Sequence, residues 1–181
     1  MMKKNQLNKQ QKKNGFTMIE LLVVIVIIGI LSTIGLGSFM SSQQKARDSR
    51  RKTDLRAISD ALELYYNDFG KYPNDDGLGN FVGCGTEAKS SACSSGQIWS
   101  NSTNGTIYMV QVPQDPNGGR YLYVSSGGAS YQIYARLENE RDRDVPTNGS
   151  GDPQTYSGKL CGTGACNYGR SSTNVDLGTA L

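Results

Sequence analysis

The feature that most constrains the fold is an apolar run that begins at Leu21. Every residue from Leu21 to Leu31 is apolar or glycine, and only two hydroxyl residues interrupt the run before it ends at Gly37. A helix of about 20 such residues is long enough to cross the hydrocarbon core of a bilayer. The sequence therefore predicts a membrane-spanning helical segment over residues 16–37.

One acidic residue, Glu20, stands at the entrance of this run. A charge inside a membrane-spanning helix costs about 2.5–3.5 kcal/mol even on the insertion scale that penalises it least. Two opposite charges buried together are tolerated far better than either one alone. Glu20 is therefore interpreted as a residue with a cationic partner. The alternative is a plain single-span anchor, in which Glu20 sits at the membrane interface.

Charge and composition exclude several classes of function. The chain carries a net charge of +3, but residues 1–14 contain five lysines and no acidic residue. Without these lysines, 14 of the 19 basic residues remain against 16 acidic ones, so the net charge does not indicate a nucleic-acid partner. Histidine is absent, which excludes histidine-based triads, Cys-His nucleophiles and imidazole metal sites. No nucleophile-base motif or phosphate-binding loop is present, so an enzyme is not expected.

Four cysteines follow the apolar run, at Cys84, Cys93, Cys161 and Cys166. In a domain rich in glycine, serine and asparagine outside the cytosol, they are expected to form two disulfides. Three pairings are possible, and the two short loops, Cys84 to Cys93 and Cys161 to Cys166, are the simplest. A zinc site is the alternative, but the spacings are not CxxC and no histidine assists.

The helical pattern continues beyond the apolar run. Residues 43–68 contain neither proline nor glycine. Apolar residues recur along them at steps of three and four, at Leu55, Ile58, Leu62, Tyr65 and Phe69. Gly70 then ends the helix. The sequence predicts one helix over about 16–68, apolar all round over 16–37 and amphipathic over 38–70, where it carries a head domain.

The segment before the run differs from an ordinary secretory signal. Residues 1–14 are polar and rich in lysine, so they are expected to be disordered and to stay on the cytoplasmic side. Together with Gly15 they form the predicted leader over residues 1–15. A secretory signal is cut after its apolar core, whereas the conspicuous junction here, Gly15-Phe16, precedes the core. Cleavage at this junction keeps the apolar helix in the mature protein.

This junction carries a resemblance to a known family. Residues 12–24 read KKNGFTMIELLVV and closely resemble the class III leader junction of type IV pilins and type II secretion pseudopilins. The resemblance implies that a prepilin peptidase cuts between Gly15 and Phe16 and methylates the new amino terminus of Phe16. It also implies that Glu20 pairs with the terminal amine of Phe16 in a neighbouring subunit during filament assembly. The chain departs from the usual pilin in having Gly37 where pilins carry a proline.

The residues after the helix are expected to form a globular head over 71–153 and a Gly-rich tail over 154–181. Within the head, residues 74–106 read as a long loop. Residues 120–124 and 130–137 flank a turn and predict a β-hairpin. The predicted fold class is α+β, with a long helix packed against a small antiparallel sheet and with disulfide-tied loops. The order of these segments resembles the major pseudopilin, and the resemblance implies a type IV pilin-like fold.

The predicted hairpin alternates in polarity along its second strand. Tyr131 and Ile133 alternate with Gln132 and Tyr134. This period of two indicates that one face packs on the helix and the other meets water.

A basic cluster follows the apolar run on the helix, at Lys45, Arg47, Arg50, Arg51 and Lys52. Asp48 and Asp54 lie among these residues. Interspersed charges favour ion pairs on the helix surface or between subunits over a track that binds DNA.

Acidic side chains gather after the predicted hairpin. In the major pseudopilin the loop at this position binds calcium, so the resemblance implies Asp142, Asp144 and Asp152 as calcium ligands. Their spacing is not that of an EF-hand, and Arg141 and Arg143 partly neutralise the cluster, which favours a plain solvated loop. No cofactor other than this calcium ion is expected.

These observations predict a structural subunit that is inserted in the inner membrane with its head outside the cytoplasm. A prepilin peptidase then processes it, and copies assemble into a helical filament with an assembly platform and minor pilins as further partners. The sequence supports a type IV pilus and a type II secretion pseudopilus almost equally. The head resembles the pseudopilin, whereas four cysteines and a long tail are typical of a surface pilus. A DNA-uptake pilus is a third variant. The distant alternative is a membrane-anchored extracytoplasmic enzyme or binding protein.

Overall fold

A computed structural model describes residues 15–84, 91–101 and 105–178, without the side chains of 34–38. Within these described residues there is one helix, α1, over Met18–Phe69. The described residues also form seven short strands, which are β1 Trp99–Ser100, β2 Ile107–Met109, β3 Leu122–Ser125, β4 Tyr131–Ala135, β5 Leu160–Cys161, β6 Gly164–Ala165 and β7 Tyr168–Ser171. The chain divides into two compact units, the first ending at Ser41 and the second beginning at Ser42. The predicted α+β fold class is confirmed.

Helix α1 matches the predicted helix closely. It ends where a glycine was expected to stop it, since Gly70 adopts a φ of 67° and donates from its backbone N–H to the carbonyl of Tyr66 at 2.7 Å. A left-handed residue directly after the last turn is the usual helix stop, and glycine takes this conformation without a steric penalty. Within the second unit, α1 buries a stripe formed by Leu55, Ile58 and Leu62.

The largest sheet has three antiparallel strands in the order β3-β4-β7. The predicted hairpin is confirmed, with Leu122 opposite Tyr134 and Ser125 opposite Tyr131 across β3 and β4. The third strand was not predicted and comes from the Gly-rich tail, where Ile133 lies opposite Arg170. Two further pairs, β1 with β2 and β5 with β6, form separate antiparallel hairpins.

An aromatic core lies between the stripe of α1 and the inner face of this sheet. Trp99 is completely buried and contacts Phe81 and Tyr65, with ring centroids 4.6 and 5.5 Å apart. Tyr123 and Ile133 fill the sheet side of the core. Because β1 carries Trp99, the segment that reads as a long loop is attached to the core by its largest side chain.

The prediction that the second face of the hairpin meets water is wrong at Tyr134. Its side chain is fully buried, and its hydroxyl donates to the carbonyl of Leu177 at 2.6 Å. The ring of Tyr156 lies 5.1 Å from that of Tyr134. Residues from the Gly-rich tail therefore cover the face that the alternation assigned to solvent.

Two disulfides close loops in the second unit, one in the head and one in the tail. The structure pairs Cys84 with Cys93 and Cys161 with Cys166, which are the two short loops. The second disulfide spans the β5-β6 hairpin and packs under Tyr134. Each loop thus has a covalent closure near the core, which reduces the conformational freedom of the unfolded chain.

Among the residues that the structure describes, no helix is found that has the length and apolar character of a membrane span. The predicted segment at 16–37 includes residues whose side chains lie outside this description.

Candidate functional site

The N-terminal segment that carries the sequence motif begins α1 with a capping box. The backbone N–H and the hydroxyl of Thr17 both donate to Glu20 Oε2, at 2.9 and 2.7 Å. The backbone N–H of Glu20 donates in return to the Thr17 hydroxyl at 3.3 Å. These reciprocal bonds satisfy backbone donors that the first turn of a helix leaves without partners. Glu20 therefore has a local partner within its own chain.

The predicted processing junction precedes this cap. Gly15 and Phe16 lie outside the helix and are exposed, and the Phe16 side chain is 87% accessible. Residues 1–14, which form most of the predicted leader, lie outside the described residues. The geometry places the Gly15-Phe16 peptide bond two residues before the start of α1.

The first unit exposes apolar surface around α1. From Leu21 to Leu31, the apolar residues other than glycine are between 47% and 63% exposed. The exposure is similar on all faces of the helix. Exposed apolar surface of this extent marks a site that contacts lipid or another protein. The local sequence produces it directly, since no polar residue interrupts the first turns after Glu20.

The basic cluster of α1 pairs with acidic residues of the head. Arg51, whose side chain is only 3% exposed, donates to Asp48 and Glu138 at 2.7 and 2.8 Å. Its other face makes a two-bond contact with Asp115, at 2.6 and 3.0 Å. Arg47 makes a similar two-bond contact with Glu138. Asp48 also accepts the backbone N–H of Glu138 at 2.9 Å, so these two arginines and their three carboxylate partners are all held by hydrogen bonds.

The three predicted calcium ligands are divided between two places. Asp142 and Asp144 both accept hydrogen bonds from Lys52 Nζ. Asp152 instead accepts from the side-chain amide of Asn148 at 3.0 Å. Among the described residues, no group of three acidic or cysteine side chains is placed to hold a metal ion.

Sequence reasoning missed both the capping box and the Arg51 cluster. The first had a signal, because residues 17–20 read TMIE and fit the capping pattern of a hydroxyl residue followed three positions later by glutamate. The second had none beyond a basic cluster, since Asp115 and Glu138 lie 64 and 87 residues from Arg51. Two ion pairs lie along the helix as expected, Arg51 with Asp48 and Arg50 with Asp54. The pairs that join α1 to the head were not expected.

The stability of the second unit is expected to fall in acid through Glu138. The hydrogen bond from Arg47, aided by those from Arg51 and opposed by burial, lowers the pKa of Glu138 from 4.5 to about 2. A carboxyl whose pKa is lower in the folded state stabilises the fold above its unfolded pKa and loses that contribution as the pH falls. The free energy of unfolding should therefore decline between about pH 4.5 and 2. Denaturant titrations across this range measure the decline.

The matched variant for this prediction is Glu138→Gln. It should be less stable than the wild type at neutral pH and should show a shallower decline in acid, because residue 138 no longer takes up a proton. Parallel acid profiles for the two proteins would contradict the role given to Glu138.

Comparisons with protein families match the chain in two consecutive parts. The family described as prokaryotic N-terminal methylation motif matches residues 10–36. The family described as type II secretion system (T2SS), protein G matches residues 38–148. The second match covers all of the α1 residues that lie in the second unit, together with β1 to β4.

Curated proteins similar to the chain carry the same description. The type II secretion system core protein G of Vibrio cholerae is 32% identical over 122 residues, which cover 67% of this chain and 77% of the relative. Its counterpart in Klebsiella pneumoniae is 34% identical over 117 residues, covering 65% and 78% of the two chains. The Pseudomonas aeruginosa protein is 32% identical over 120 residues, covering 66% and 78%. A search of solved structures finds no significant match. The chain belongs to the type II secretion system protein G family.

Proposed function

We propose that the chain is the structural subunit of a type II secretion pseudopilus. In this proposal the chain first resides in the inner membrane, with residues 16–37 in the bilayer and the head outside the cytoplasm. A prepilin peptidase then cuts after Gly15 and methylates Phe16. Copies of the mature chain assemble into a filament through the N-terminal part of α1.

The observation that carries this proposal is the apolar surface of α1 directly after a methylation motif. The side chains of Leu21–Leu31 are exposed in the isolated chain, and burying them removes apolar surface from water at a gain of about 25 cal/mol per Å². Lipid provides this burial before assembly, and the same helices of other copies provide it in a filament. The same apolar surface of α1 is therefore buried both in the membrane and in the filament.

The head supports a pseudopilus over a surface pilus. The match to the secretion protein G family runs through residues 38–148, which include the helix stripe and the β3-β4 hairpin. The leader junction is matched separately, by the methylation motif over residues 10–36. The relatives from Vibrio cholerae, Klebsiella pneumoniae and Pseudomonas aeruginosa are all named as core protein G of a type II secretion system. The partners in this proposal are other copies of the chain, the prepilin peptidase, and the assembly platform and minor subunits of the secretion system.

Mass spectrometry of the mature protein tests the processing step. The purified chain is expected to begin with N-methylphenylalanine at Phe16, and cells that lack the prepilin peptidase should retain the full leader from Met1. A wild-type chain that still begins at Met1, or that is cut after residue 37, would contradict the proposal.

The same cells then separate the two kinds of filament. Deleting the gene should abolish export of the proteins that the secretion system releases and should leave long surface pili intact. Loss of the surface pili with normal export would instead assign the chain to a pilus.

A further inference from the structure

The loop that follows β4 is held on α1 by a lysine. Lys52 Nζ lies 2.5 Å from Asp142 Oδ1 and 2.7 Å from Asp144 Oδ2. The same ammonium lies 5.7 Å from the centre of the Tyr168 ring on β7. About three quarters of the Lys52 side chain is buried, so the ammonium is enclosed between two carboxylates and an aromatic face.

A second contact fixes the beginning of the same loop. Asp48 accepts the backbone N–H groups of Glu138 and Asn139, both at 2.9 Å. Asp48 and Lys52 are four residues apart on α1, so they lie on one face of the helix. The loop is therefore attached to consecutive turns of α1, first through its backbone and then through its carboxylates.

The geometry leaves these carboxylates unsuited to a divalent cation. Calcium takes about six to eight oxygen ligands at about 2.3–2.6 Å. One oxygen of Asp142 and one of Asp144 already accept from Lys52, and an ion bound by these two oxygens would lie against the ammonium. Arg143, between the two acids, adds a further positive charge near Asp144.

The third acid belongs to a different turn. Asp152 accepts from the Asn148 side chain, and its own backbone N–H donates to Asn148 Oδ1 at 2.8 Å. Thr147 and Pro153 form a bridge that closes this turn. Asp152 is thus engaged within residues 147–153, and the three acids do not form one ligand set in the described part of the chain.

We propose that the ammonium of Lys52 is the resident cation of this loop, and that residues 139–145 fold onto α1 without a divalent metal ion. The positive charge that an acidic loop needs comes from the chain itself, one helical turn after Asp48. This inference concerns the stability of the head and is independent of the proposed role in a filament.

Thermal unfolding of the full chain in detergent micelles tests this inference. Trp99 is the one tryptophan of the sequence and is fully buried, so its fluorescence reports unfolding of the head. The Tm of the wild type is expected to be the same in excess calcium chloride and in EDTA. Lys52→Met should lower the Tm by about 3–6 °C, because two partly buried carboxylates lose their partner.

The matched control is Lys45→Met, which removes an exposed lysine from the same helix. It should leave the Tm unchanged. The proposal is overturned if calcium raises the Tm of the wild type and EDTA lowers it, or if Lys52→Met and Lys45→Met melt at the same temperature. If Lys52→Met does not fold, calorimetric titration of the wild type with calcium decides alone: a stoichiometric binding heat overturns the proposal, and its absence supports it.

Discussion

Replacing Arg51 by methionine is expected to lower the free energy of unfolding by about 3–5 kcal/mol. The guanidinium is 3% exposed and is the common partner of Asp48, Asp115 and Glu138. Methionine fills a similar volume but leaves three carboxylates close together, with Asp48 itself only 2% exposed. Removing one member of a buried ion cluster is costly because the remaining charges stay buried without compensation. Urea titration of the full chain in detergent, followed by Trp99 fluorescence, measures the change.

Two variants control for the loss of a positive charge. Arg50→Met removes a side chain that is 66% exposed and lies 3.9 Å from Asp54, so it should change stability by less than about 1 kcal/mol. Arg51→Lys keeps the charge and loses the planar fork that contacts both oxygens of Asp115, so it should lie between the wild type and Arg51→Met. If Arg51→Met proves no more destabilising than Arg50→Met, the cluster does not hold the head on α1.

The long helix and the central hairpin were predictable because their signals are local. The predicted helix over about 16–68 is found at Met18–Phe69. Its signals are an apolar run, a segment free of proline and glycine, and the terminating Gly70, and each of them determines the conformation of nearby residues. The β3-β4 hairpin follows from two strand-like segments on either side of a turn, with alternation along the second of them. In such segments, local preference and tertiary packing agree.

The tail was not predictable from pattern for the opposite reason. Strands β5 and β6 have two residues each, and β7 reads YGRS, which contains no run of apolar or β-branched residues. These strands form because the β3-β4 hairpin alone would leave one edge of β4 unpaired, which β7 covers, and because the Cys161-Cys166 disulfide closes the β5-β6 hairpin. Residues 149–178 also lie beyond the part matched by the family. Their burial of Tyr134 depends on contacts across more than 20 residues of sequence.

Sequence and structure suggest two different roles for the Glu20 carboxylate. The cost of a charge at the start of an apolar helix suggested a cationic partner outside the chain. The structure shows that the carboxylate caps the helix through Thr17. Both Thr17 bonds end on Oε2, and a carboxylate has a second oxygen that accepts further donors. The two roles are therefore compatible, and only a variant that separates charge from capping distinguishes their contributions.

Replacing Glu20 by glutamine is expected to reduce filament assembly at least about tenfold, a free-energy loss of about 1.4 kcal/mol per subunit contact or more. Glutamine at the third helical position still accepts from Thr17, so the capping box and the start of α1 are kept. The change removes only the negative charge that the amine of Phe16 in a neighbouring copy would meet. Electron microscopy of filaments, with fractionation to confirm membrane insertion, measures the result.

Thr17→Ala is the complementary variant, because it removes the hydroxyl of the cap and keeps the charge. Losing an N-cap costs about 1 kcal/mol of helix stability, which a helix of 52 residues tolerates. We therefore expect Thr17→Ala to assemble nearly as well as the wild type. The opposite pattern, with normal filaments from Glu20→Gln and defective ones from Thr17→Ala, would show that Glu20 serves assembly by shaping the helix start. Assembly would then need no charge pair between subunits. The capping bonds between Glu20 and Thr17 of the same chain would account for the presence of this acid.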